Sequence, residues 1–158
     1  MIQFVRTKML AVIKKNNTMK TQIINTFGLM IVLLTFSATS FGQVYKLKST
    51  SLSSKYQLND GSWTDWSEAT ETSVLMTFDI NKQRITIYSK KTQVYDIAEY
   101  EGQTTDDDGD DFYSYYCVNE DGITCRVRFA RLNSQNGRNQ VYVDFSDMLW
   151  MYNVYSLD

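Results

Sequence analysis

Val74-Leu75-Met76-Thr77-Phe78-Asp79-Ile80, then Asn81-Lys82-Gln83, then Arg84-Ile85-Thr86-Ile87-Tyr88, is the stretch that decides the fold. Val74, Met76, Phe78 and Ile80 share one face at period two, as do Ile85 and Ile87, and a polar triplet separates the two runs. Alternating apolar residues either side of a short turn predict an antiparallel hairpin with one buried face.

The same pattern extends outward in both directions. A polar turn at Lys90-Lys91 leads into a third strand, Gln93 to Tyr100, so the three form a meander. Past the acidic loop Thr104 to Asp111 come Phe112 to Val118 and Ile123 to Leu132, joined by Asn119-Glu120-Asp121-Gly122. A type I turn closed by Gly122 in the left-handed conformation makes a three-residue hairpin loop there. That register sets Cys117 opposite Cys125. Gln140 to Phe145 and Leu149 to Leu157 follow the polar loop Asn133 to Asn139. Upstream, Tyr45 to Tyr56 and Ser62 to Glu68 read as two strands about Asn59-Asp60-Gly61. The expected fold class is all-β, a small antiparallel meander of about seven to eight strands closing into a barrel or sandwich, which limits exposed edges.

The N-terminal part reads differently. The sixteen Lys and Arg of the 158-residue chain divide into five before Gly42 and eleven after it, whereas all eighteen acidic residues follow Gln43. Ile23 to Phe36 is largely apolar, follows Lys20 and runs into the small residues Ser37 to Gly42. A basic head, a short apolar middle and small residues before a cut make a secretory signal over residues 1–42, with Met19 as an alternative start. Ser40 and Gly42 suit a cut before Gln43, and Ala38 and Ser40 one before Phe41. The competing reading is a retained anchor, since Ile23 to Gly42 carries no charge and ~20 apolar residues can span a bilayer. No cysteine adjoins the cut, so a lipid-anchored form is not expected. Residues 43–158 form a single domain, destined for secretion or the periplasm. Two facing cysteines in such a compartment are expected to be oxidised, a bridge contributing about 2–3 kcal/mol.

The domain after Gln43 has a formal charge of −7, from eleven basic and eighteen acidic residues. An acidic surface repels phosphate backbones and anionic lipid, so no nucleic acid is expected as a partner, and a membrane only through an uncleaved leader. The chain has no histidine, which removes Ser-His-Asp and Cys-His catalysis and the common zinc sites. No Gly-rich phosphate loop follows a strand. These exclusions point away from an enzyme, and no cofactor is expected.

Three features invite functional readings. Asp106, Asp108 and Asp110, grouped around Gly109, offer the oxygens calcium prefers, but the EF-hand pattern is not met and a mobile, self-repelling loop is the simpler account. Trp63 and Trp66 are three apart, so an extended strand would send one to the core and leave the other for a ligand. Tyr113, Tyr115 and Tyr116 suit either a partner surface or sheet packing. Taken together, these residues describe an exported, non-enzymatic binding module presenting an acidic, tyrosine-rich β surface to a protein or glycan. A lipocalin-like barrel carrying a small apolar ligand is the alternative, although Met76, Phe78, Phe129 and Phe145 look large enough to fill its interior. A secreted carboxylate-dependent hydrolase, needing only two converging acids, is a third.

Overall fold

A computed structural model of the chain describes residues 44–157. The leader, its cut sites and the choice between cleavage and anchoring lie outside the described residues. Nine strands follow in order: β1 (Val44–Tyr56), β2 (Thr70–Glu71), β3 (Leu75–Asp79), β4 (Arg84–Tyr88), β5 (Gln93–Thr105), β6 (Asp111–Asn119), β7 (Thr124–Leu132), β8 (Arg138–Asp144) and β9 (Met148–Ser156). From β3 to β9 each pairs antiparallel with the next, β3 also pairs with β1, and β9 returns to β1. The ring of eight is a closed barrel, and β2 is a short addition to the edge of β1.

Alternation fixes which side chains fill the barrel. Met76 and Phe78 on β3 and Ile85 and Ile87 on β4 are buried, as the hairpin reading requires, and Phe78 lies opposite Ile85. Val127, Val141 and Val143 are fully buried beside them, and Phe145 packs edge-on against Trp150 at 5.6 Å on the barrel's inner side. Two bulges interrupt β5, between Ile97 and Glu99 and between Tyr100 and Gly102. The first shifts the strand's phase, so Tyr100 joins Tyr95 and Ile97 on the inner side although their sequence parity differs. Its ring then lies 5.2 Å from that of Tyr115.

Two expected elements change. Ser62 to Glu68 is not a strand: Thr64 N–H and Ser67 N–H donate to the carbonyls of Tyr56 and Ser54. The return bonds, from Tyr56 N–H and Ser54 N–H, end on the Thr64 and Ser67 hydroxyls instead of carbonyls. Side chains thus replace half the ladder, and the segment seals the edge of β1 without becoming regular.

The acidic loop is also held in place. Asp106 Oδ1 accepts the N–H groups of Asp108 and Asp110 at 3.1 and 2.9 Å, which folds the turn on itself. Asp110, only 5% exposed, accepts from Ser134 N–H and Oγ–H at 2.8 and 2.9 Å. Its charge therefore ties the β5–β6 turn to the β7–β8 turn.

The hairpin at Gly122 (φ 77°) forms as expected, and Cys117 faces Cys125. The two thiols are nonetheless unbonded and buried, which corrects the expected disulfide. Asn119 N–H donates to Ile123 O, so counting by two makes 117/125 a hydrogen-bonded pair. At such a pair the side chains stand farther apart than at the intervening pairs, whereas a bridge needs Cβ atoms about 3.5–4.5 Å apart. Burial pushes the Cys117 thiol up to about 12 and the Cys125 thiol up to about 11. Folded protein near neutral pH should therefore react slowly with iodoacetamide. Both cysteines should alkylate fully once denatured, with or without reductant. Intact mass measures this; a denatured chain that alkylates only after reduction would restore the bridge.

Candidate functional site

The barrel is filled through its middle but hollow at one end, the end that carries the turns β3–β4, β5–β6 and β7–β8. There Tyr45, Leu47, Phe78, Tyr113, Tyr115 and Phe129 wall an open cup of about 610 Å³. Arg131, Gly137, Asn139 and Ser156 also line it. An eight-stranded barrel is near the size at which side chains either fill the interior or leave room for one small ligand, and here both occur along one axis. Pockets of about 300–1,000 Å³ with apolar walls and a few polar groups are typical ligand sites.

The walls follow from strand phase. Tyr113 and Tyr115 are two apart on β6, so both point inward, while Tyr116 faces out and is 39% exposed. Tyr115 packs against Phe78 at 6.0 Å and Tyr113 against Phe129 at 6.1 Å. Burial, and then the neighbouring Tyr100 and Tyr45, raises the pKa of Tyr115, so its phenol stays neutral. Arg131 continues the inward series Val127, Phe129 on β7 and lies opposite Asp111. The Asp111 carboxylate accepts from Thr105 Oγ1 at 2.8 Å, Asn133 Nδ2 at 3.0 Å and Gln103 Nε2 at 3.2 Å. These bonds, with a smaller contribution from the Arg131 charge, hold its pKa below the usual value of 3.8.

The outer face holds the other aromatic candidates. Trp63 and Trp66 lie on the same side, 37% and 38% exposed, because the segment carrying them is irregular. The expectation that one enters the core fails for that reason. Lys55 Nζ sits 5.4 Å and 5.0 Å from their ring centroids, and Trp66 packs edge-on against Tyr142 at 6.3 Å. Arg128 lies 4.7 Å from the Tyr142 ring and pairs through two nitrogens with Asp144. The tryptophan surfaces that would stack on a sugar are thus partly taken by a lysine of the same chain.

Asp106 and Asp110 are engaged in loop hydrogen bonds, and among the described residues no three carboxylates or thiols converge as metal ligands would. Glu101, on the outer face, is held low by its bond from Arg126, the opposite of what a general acid needs. Depressed carboxyls stabilise the fold above their unfolded values, 4.5 for Glu101 and 3.8 for Asp111, and that contribution is lost as pH falls through the lower folded values. The melting temperature should accordingly drop on acidification from about pH 5 to about pH 3, and Glu101→Gln should flatten the drop. Thermal melts across that range check it.

Of the residues singled out in the sequence, Tyr113 and Tyr115 reach the cup, whereas Trp63, Trp66, Tyr116 and the aspartates do not. Sequence reading missed Tyr45, Arg131 and Asn139. For Arg131 a signal existed, an arginine in phase with Val127 and Phe129. No family model matches the chain, and neither the curated proteins nor the solved structures contain a significant match.

Proposed function

We propose that the domain is a non-enzymatic binding protein that holds a small, largely apolar molecule in the cup at the open end of its barrel. The observation that carries this reading is the aromatic-walled cavity of about 610 Å³ above a filled core. It favours a carrier over a tyrosine-rich surface module, since two of the three clustered tyrosines face inward. A hydrolase gains no support: no acid lines the cup, and the acids of the outer groove, Glu101 and Asp144, are paired with Arg126 and Arg128. Export rests on the leader alone, because the unbonded thiols no longer argue for an oxidising compartment. The outer face carries Arg84–Asp96, Arg126–Glu101 and Arg128–Asp144 ion pairs, the opposite of an apolar lipid-facing band.

The test uses the neutral dye N-phenyl-1-naphthylamine. One equivalent should bind with enhanced fluorescence, and Asn139→Trp, which puts a bulky ring into the lining, should weaken it at least tenfold. Absence of binding, together with no co-purifying small molecule by native mass spectrometry, would overturn the carrier.

A further inference from the structure

We infer that the cup takes an anionic amphiphile, a carboxylate bearing an apolar tail or ring, and that Arg131 is the residue that binds its charge. This rests on the carrier reading above. Arg131 is the one charged side chain among the residues that line the cup, which otherwise presents phenols, phenyl rings, an aliphatic side chain and two small polar groups. Its place follows from strand phase, two residues beyond Phe129 and four beyond Val127.

The Arg131 guanidinium belongs to none of the four ion pairs among the described residues. Its cross-strand neighbour Asp111 is the obvious internal partner, yet that carboxylate is occupied by Thr105, Asn133 and Gln103. The other arginines on the same barrel wall are treated differently. Arg126 and Arg128 point outward and each makes a two-nitrogen bond to a carboxylate. A guanidinium is a planar fork that matches a carboxylate through two parallel hydrogen bonds, and Arg131, exposed at the mouth of the cup, can present that fork to a headgroup entering from solvent.

The rest of the cup fits one negative charge and an apolar body. No acid lines it, and Tyr115 is kept neutral; the carboxylate an anion meets there is Asp111, opposite Arg131, whose oxygens are turned to Thr105, Asn133 and Gln103. Asn139 lies opposite Arg131 on β8 and lines the cup with it, where its amide can complete the headgroup's hydrogen bonds. The domain's net charge of −7 acts at long range and is screened within about 8 Å at physiological salt. A local cation then decides the sign of charge the cup prefers.

Dodecanoate and dodecanol, matched in tail and used below micelle-forming concentration, separate the headgroup from the cavity. Both should displace N-phenyl-1-naphthylamine, dodecanoate about tenfold more tightly, in line with charge-assisted bonds. Arg131→Gln should erase that preference while leaving dodecanol and dye affinity within about twofold, and R131K should retain part of it, as a charge without the fork. Circular dichroism and a thermal melt confirm that the variants fold. Equal affinity for acid and alcohol in the unaltered protein, or equal losses for both in Arg131→Gln, would overturn the assignment while leaving the carrier standing. Failure of the dye and both dodecyl compounds to bind would overturn the two readings together.

Discussion

Ile85→Ala is expected to lower the free energy of unfolding by about 2–4 kcal/mol, a large part of the total for a domain this size. Ile85 is fully buried, faces Tyr95 on one neighbouring strand and Phe78 on the other, and belongs to the central cluster with Met76 and Ile87. Alanine removes methyl groups from a closed ring whose backbone is hydrogen-bonded on both sides, so the wall has little freedom to collapse into the space. Thr86→Ala, at the next residue and on the opposite face, should cost less than about 1 kcal/mol. Urea unfolding of the two variants measures the difference. Equal losses at positions 85 and 86 would mean that the strand does not alternate between core and outer face.

Asp110→Ala should cost about 2–3 kcal/mol despite removing a charge from an acidic run, which repulsion alone would make favourable. Both carboxylate oxygens of Asp110 are engaged by Ser134, through its N–H and its hydroxyl, at a position 5% exposed. Truncation leaves the Ser134 N–H without its acceptor and unties two turns at the open end of the barrel. Ser134→Ala, which keeps the backbone donor, should lose about half as much. Asp107→Ala, whose side chain is exposed, should be neutral or slightly stabilising. Denaturant titrations of the three variants rank them. If Asp110→Ala were no worse than Asp107→Ala, the run would behave as the self-repelling loop its composition suggests.

The contrast between Asp107 and Asp110 shows where sequence reasoning stopped. An acidic run has a composition, and composition predicts repulsion, but the partner that makes Asp110 structural lies 24 residues away across two turns. Trp63 and Trp66 failed similarly. Their spacing gives opposite faces only on a regular strand, and Thr64 and Ser67 hydroxyls replaced the ladder there. The unbonded cysteines are a different case. Their register was legible, and the parity that makes 117/125 a hydrogen-bonded pair could have been counted from the same turn.

What the sequence by itself determined is local: the alternation of Met76 and Phe78 with Thr77 and of Ile85 and Ile87 with Thr86, the turn at Gly122, and hence the antiparallel meander. These follow from steric limits on a few consecutive residues, which no distant contact had to supply. Only the tertiary structure decided that β9 pairs with β1, so that the sheet closes as a barrel and not a sandwich, and that Phe129 walls a cup above the buried Phe78 instead of filling the interior. Closure sets the inner radius, and the bulge between Ile97 and Glu99 brings Tyr100 to the inner side beside Tyr115. Space left inside a ring is a property of how eight strands meet, and no single strand encodes it.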